Sequence, residues 1–330
     1  MKKYCLLFIL TLVLASCGTD SHHFKIDGHF LNLNQGEFYV YSPDGDINGI
    51  DTIKVRGGRF TYETPCEEPC ILVIVFPNFS MQPVFAQPGK SVDIKADASH
   101  LKKMTVKGTD ENKLMNEFRE QIETASPVET QKHAEQFVND HPESLVSVYL
   151  ATAYFIQSQR TDYRKAEVLL KKIVEAQPEN KYAKHILQQV KMLHNDSESL
   201  PKFQALCTDN KTISTKDITS AQVSVITTWA SWSYDSMEQQ RQLKSLSDSS
   251  TGKLKILSIC VDASQKECKR TLERENIKYP VVCDGKMMEG NLLKKLGLFS
   301  VPGNIVLKNG KIIARNLTTQ ELKQKLEALI

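Results

Sequence analysis

The sequence predicts a multidomain chain with an N-terminal antiparallel β sandwich or barrel, a middle helical layer and a C-terminal α/β domain. Three observations carry this reading. Between Phe24 and Gly108 short apolar alternations are broken by Gly, Pro, Asn and Asp, the period-two pattern of half-buried strands. From Glu111 to about Leu193 the apolar residues recur at helical spacing. From Pro201 onward strand-like and helix-like runs alternate. A chain of 330 residues also exceeds one ordinary core. The boundaries read as a leader at 1–16, a β-rich domain at 17–108, a helical segment at 109–199 and the α/β domain at 200–330.

In the first segment the clearest strands are Phe38 to Tyr41, Thr52 to Val55, Arg59 to Glu63, Ile71 to Phe76 and Ser91 to Lys95. The spacing fits six to eight strands in all. Gly57-Gly58 marks a hairpin turn, because glycine takes positive φ without steric cost. The helical segment places Leu114, Met115, Phe118 and Ile122 on one face, and Tyr182, Ile186, Val190 and Leu193 on another. Leu145 to Ile156 and Tyr163 to Val174 supply two helices between them. In the last segment Val223 to Thr228 is an apolar run suited to a central strand. A helix over Met237 to Leu246, a strand over Leu254 to Val261 and a helix over Gln265 to Asn276 follow. Ile305 to Leu307 and Lys311 to Ala314 form a hairpin through Asn309-Gly310, and Thr319 to Leu329 is a closing helix.

Hydrophobic residues at 41% and charged residues at 25% exclude a disordered or multi-spanning chain. A net charge of +3 without a basic patch gives no reason to expect nucleic acid. Lys2 and Lys3 precede an apolar run from Tyr4 to Leu14, the parts of an export signal, and the run is too short to span a bilayer comfortably. Its end, Leu14-Ala15-Ser16-Cys17, resembles the bacterial lipobox, in which the signal is cut before the cysteine and that cysteine is acylated. The resemblance implies a lipoprotein tethered to a membrane through Cys17 and facing the periplasm or the cell surface. Each buried acyl CH₂ contributes roughly 0.8 kcal/mol to such an anchor.

An oxidising compartment makes Cys66, Cys70, Cys207, Cys260, Cys268 and Cys283 candidates for disulfides. Cys66 pairs with Cys70 only if the chain turns between them, and Cys260 with Cys283 is a plausible structural bridge; buried thiols are the alternative. Cysteines and histidines show no zinc spacing, so neither a metal nor a cofactor is expected.

Two resemblances extend this reading. Gly49 to Phe60, Phe85-Ala86-Gln87-Pro88-Gly89 and Val106 to Asn112 resemble an uncharacterised β domain of Bacteroidetes that precedes thioredoxin-like domains in exported lipoproteins. Trp229-Ala230-Ser231-Trp232-Ser233-Tyr234-Asp235-Ser236 resembles the active-site segment of thioredoxins, of the membrane-anchored cytochrome-maturation branch of thiol-disulfide oxidoreductases. Ser300 to Lys311 resembles the same family's cis-proline loop and final hairpin.

The resemblance implies a pair of cysteines where this chain has Ser233 and Ser236, and a buried acid where it has Thr227. A hydroxyl forms no disulfide and is not ionised near neutral pH by a helix terminus. No catalytic residue is therefore expected at these degenerate redox positions. Ser236-Met237-Glu238-Gln239 has capping-box form, giving the serines a structural use. Trp232, Tyr234, Val301 and Pro302 are then candidates for binding a peptide or an envelope protein. The alternative is a thiol-disulfide oxidoreductase, or a partner of one, that uses cysteines elsewhere in the chain.

The leader makes one prediction. Cells fed a fatty-acid analogue should label the wild-type protein on Cys17 and leave Cys17→Ala unlabelled; equal labelling of both would remove the lipid anchor.

Overall fold

The computed structural model describes residues 19–45, 49–78, 80–158, 161–194, 199–250 and 252–330. The expected leader and Cys17 lie outside the described residues. The chain divides into two compact units, residues 1–149 and 150–330, so the helical residues are shared between them. Among the described residues no helix is long and apolar enough to cross a membrane.

In the first unit eight strands form one sheet: β1 His23–Leu31, β2 Gln35–Tyr41, β3 Ile50–Arg56, β4 Arg59–Pro65, β5 Cys70–Val75, β6 Met81–Ala86, β7 Ser91–Asp97 and β8 Thr105–Lys107. Their order is β6-β5-β2-β3-β4-β1-β7-β8. Neighbours run antiparallel except β1 and β7, which are parallel. The sheet curls into a near-closed barrel instead of splitting into a sandwich. Alternation along β1 and β4 sends Phe24, Ile26, Phe30, Phe60 and Tyr62 inward, as a period of two requires. Inside, Phe38 meets Phe30 at 5.1 Å and Phe76 at 4.9 Å between ring centroids, edge to face. Gly28 lies opposite Phe60, and a Cβ there would fall 1.8 Å from the Phe60 ring. The β3–β4 hairpin turns at Gly57 and Gly58, both at positive φ.

The barrel has two open edges, β6 and β8, and one helix satisfies both. Helix α1, Asp110–Gln121, begins at the N-cap Thr109. Asn112 donates to Phe85 O at 2.7 Å and accepts from Phe85 N at 3.0 Å, completing the edge of β6. One turn on, Asn116 donates to Val106 O at 2.7 Å and accepts from Val106 N at 3.0 Å, completing the edge of β8. A side-chain amide carries one donor and one acceptor in the arrangement a neighbouring strand would offer, so an i, i+4 pair replaces the missing strand contact. Arg119 adds a bond to Pro83 O at 2.9 Å. Helix α2, Pro127–Asp140, was not anticipated as an element; Ser126 and Glu129 form its capping box, with Pro127 in the first turn. Helix α3, Leu145–Ala151, runs into a π-type turn at Thr152–Ile156.

The second unit begins with an antiparallel pair, α4 Tyr163–Ala176 and α5 Lys181–His194. After the short strands β9 Gln204–Leu206 and β10 Thr212–Ser214 comes helix α6, Thr215–Thr219. Then follow β11 Val223–Trp229, α7 Tyr234–Ser249, β12 Leu254–Cys260, α8 Gln265–Glu275, β13 Val281–Val282, α9 Asn291–Leu296, β14 Gly303–Lys308, β15 Lys311–Arg315 and α10 Thr319–Glu327. The sheet order is β13-β12-β11-β14-β15. Strands β11, β12 and β13 are parallel, while β14 and β15 run antiparallel to their neighbours. Central β11 is buried along its whole length, its three hydroxyl residues included. The β14–β15 hairpin turns at Asn309 and Gly310, at φ of 49° and 77°.

Asn112→Ala should lower the unfolding free energy by about 2–4 kcal/mol, because it leaves both edge groups of Phe85 buried and unpaired. Lys113→Ala, one residue on and exposed, should change it by less than about 0.5 kcal/mol. Urea denaturation of the two variants beside wild type measures the difference.

Candidate functional site

The site is built on the C-terminal end of β11. A strand buried on both faces must satisfy every polar side chain it carries, and the three hydroxyls of β11 each bind a neighbouring segment. Ser224 donates to Ile218 O at 2.6 Å, at the end of α6. Thr227 contacts Gln239 Oε1 at 2.5 Å and Gly303 O at 3.1 Å. With the Gln239 amide turned so that Nε2 donates to Thr227, the hydroxyl proton goes to Gly303 O. Thr228 donates to Ser300 O at 2.6 Å and accepts from Gly303 N at 2.7 Å. Those two bonds hold the Ser300–Gly303 loop, with its cis Val301-Pro302 peptide, against the end of β11. Gly303 is buried there, and a Cβ on it would meet Ser300 O at 2.9 Å.

Helix α7 starts earlier than the sequence suggested, at Tyr234, and its N-cap is Ser233 instead of Ser236. Ser233 Oγ accepts from Ser236 N at 3.4 Å. Ser236, inside the first turn and fully buried, turns its hydroxyl back on the preceding loop: it donates toward Ala230 O at 3.2 Å and Ser233 O at 3.0 Å, and accepts from Ala230 N at 3.1 Å. Both serine hydroxyls are thus engaged by backbone. Of the four binding candidates, Tyr234 is 77% exposed. Trp232 and Val301 are partly buried and pack on one core cluster. Among the described residues Val301 N–H and C=O have no hydrogen-bond partner. No histidine lies between residues 200 and 330.

Cys66 and Cys70 are buried and not joined to each other in this structure, and Cys66 Sγ donates to Glu68 O at 3.3 Å. Cys260 and Cys283 are likewise buried and not bonded to each other. The structure joins them with Cys268: the three sulfurs lie within 4.8 Å of one another. They come from the last residue of β12, the first half of α8 and the segment after β13, separations that conceal the cluster in the sequence. Trp229, Met237 and Val281 pack around them.

Burial, then contact with Cys268 and Cys283, pushes the Cys260 thiol far up. Contact with Cys260 draws the Cys268 thiol down, but Cys283 and burial outweigh it and leave the thiol raised. Hydrogen bonds from Cys260 and Cys268 draw the Cys283 thiol down; no helix terminus is involved. Burial raises the nearby Asp262 carboxyl. Its Oδ1 accepts from Ser231 N at 2.9 Å, tying the cluster region to the Ala230–Ser233 loop.

Known proteins share parts of this architecture. Residues 24–115 match the domain of unknown function DUF4369, and residues 197–315 match the AhpC/TSA family. A thiol-disulfide oxidoreductase from Bacteroides fragilis is 23% identical, with 40% of this chain and 99% of that chain covered and a TM-score of 0.36. The thioredoxin domain of a thiol-disulfide oxidoreductase from Bacteroides vulgatus is 18% identical, with 39% and 94% covered and a TM-score of 0.35. A thiol:disulfide interchange protein of the thioredoxin family from Chlorobium tepidum is 14% identical, with 40% and 94% covered and a TM-score of 0.34. No curated protein matches the chain. The order of the five strands, the cis-proline loop and the family match make the C-terminal part a thioredoxin-like domain, following a DUF4369 domain in the sequence.

Proposed function

We propose that the chain is an envelope lipoprotein whose thioredoxin-like domain is redox-inactive at its helix N-terminus and holds an extended peptide or protein segment there. The observation that carries this reading is the placement of Ser233 and Ser236. Ser233 caps α7 and Ser236 stands in its first turn, where thiol-disulfide enzymes carry their reactive pair, and both oxygens bond to backbone. A thiolate attack needs a sulfur that is ionised and reachable, and neither serine offers one.

The rest of the site keeps what binding requires. Val301 presents unpaired backbone groups beside a loop fixed by Thr228, the arrangement to which an extended segment adds as a strand. Tyr234 stands exposed at the start of α7, and an aromatic ring with a polar tip is a common interface anchor. The alternative enzyme reading relies on cysteines elsewhere in the domain. Cys260, Cys268 and Cys283 are 2%, 0% and 7% exposed, so a substrate disulfide has no in-line approach to them.

In insulin reduction driven by dithiothreitol, the protein should run at the dithiothreitol background. A rate well above it would overturn redox inactivity, and loss of that rate in a variant lacking Cys260, Cys268 and Cys283 would install the enzyme reading.

For the binding surface, the partner captured from envelope extracts by wild-type protein should bind Tyr234→Ala more weakly by about 1–3 kcal/mol, roughly 5- to 150-fold in Kd. Thermal melting should be unchanged, since the ring is exposed. Unaltered affinity in this folded variant would move the binding surface away from the helix start. Trp232→Ala is a poorer probe because that ring also packs on the core.

A further inference from the structure

The three-sulfur cluster lies apart from the peptide groove and has no part in the reading above. We propose that Cys260, Cys268 and Cys283 form a metal site that takes one thiophilic d¹⁰ cation, Zn²⁺ or Cu(I), through three thiolates. Three separate elements, β12, α8 and the segment after β13, bring their sulfurs within 4.8 Å of one another. Around an ion with metal–sulfur bonds of about 2.3 Å, three sulfurs stand about 3.8–4.0 Å apart. Contraction to that spacing asks less than about 1 Å of each side chain.

The donor set selects the ion class. Soft thiolates favour Cu(I) and Zn²⁺, whereas Ca²⁺ and Mg²⁺ require shells of oxygen. The surroundings, Trp229, Met237 and Val281, are apolar, which keeps competing water out. A disulfide would use two sulfurs and strand the third; an ion engages all three. A fourth donor stands at the margin. Asp262 is 3% exposed, its backbone carbonyl lies 3.8 Å from Cys283 Sγ, and its Oδ2 is buried with no hydrogen-bond partner among the described residues. Zn²⁺ in a structural site takes four ligands and would recruit that oxygen. Cu(I) is satisfied by three.

Binding displaces the thiol protons to solvent and couples the ion to folding. Cys260 pairs in register with Trp229, and Asp262 holds Ser231 N–H. An ion here therefore braces the loop that carries Trp232 and Ser233 from below.

The test uses the full chain, purified reduced and without oxygen, and titrated separately with Zn²⁺ and Cu(I) against a competing chelator. One equivalent of ion should bind and raise the melting temperature. Cys268→Ala and Cys283→Ser should each weaken binding by at least about 100-fold, the upper range for loss of a mere outer-shell partner. Cys207→Ala, a buried cysteine outside the cluster, should bind as wild type does, and circular dichroism should show all three folded. Asp262→Asn separates the ions: it weakens Zn²⁺ binding and leaves Cu(I) binding unchanged. Failure to bind either ion, binding that survives Cys268→Ala, or a peptide map of unreduced protein joining two of the three sulfurs would each overturn the proposal.

Discussion

Strand β11 is buried on both faces yet carries Ser224, Thr227 and Thr228, and the C-terminal domain is organised by the need to satisfy those three hydroxyls. An unpaired hydroxyl in such a position costs roughly 1–3 kcal/mol, so each must find a partner from an adjoining element. Ser224 fixes the end of α6, Thr227 reaches Gln239 on α7, and Thr228 clasps both sides of the cis-proline peptide. The site at the end of the strand is a consequence. The α7 terminus and the proline loop face the same strand end because successive side chains of that strand hold them there. Thr227 fills the buried position that the thioredoxin resemblance assigns to an acid. The same atom that removes a proton acceptor supplies a neutral hydrogen bond that welds helix to loop.

The N-terminal domain answers a related demand with amides. A curled sheet that stops short of closure leaves backbone donors and acceptors along two edges, and α1 presents Asn112 and Asn116 one turn apart to satisfy one residue on each. The geometry depends on helical rise as much as on residue type. A spacing of four residues sets the two amides about 6 Å apart along the axis and on one face. In both domains these buried polar side chains fasten neighbouring elements together.

How far the sequence could be read follows from the range of each signal. Period-two alternation, Gly57-Gly58 and Asn309-Gly310 are local, and the strands and hairpins they announce are present. Strand β6, with Pro83 inside it, escaped because proline argues against a strand interior; it is tolerated here in an edge strand. Helix α2 escaped because its buried residues, Ala134, Phe137 and Val138, make a narrow stripe. The helix cap moved from Ser236 to Ser233 because two serines three residues apart both satisfy capping patterns, and only the backbone path from Trp229 decides between them. The cis-proline loop and the start of α7 were legible because the family's motif is contiguous at each of its two halves. The sulfur cluster was not, since its members are 8 and 15 residues apart in sequence and meet only through the parallel pairing of β12 with β13 and the packing of α8.

The two sets of positions show why location decides what a side chain does. At a helix N-terminus on the surface, a sulfur is stabilised as thiolate and open to a partner disulfide, so it is a reagent. Serine at the same place bonds to the backbone and caps the terminus. The sulfurs of Cys260, Cys268 and Cys283 are instead buried among Trp229 and Met237, out of reach of a protein substrate. What can reach a buried group is small, and what binds three sulfurs at once is a single ion. On the proposed reading, the domain separates two properties that thiol-disulfide enzymes combine at one site, a groove for an extended chain and a set of thiols.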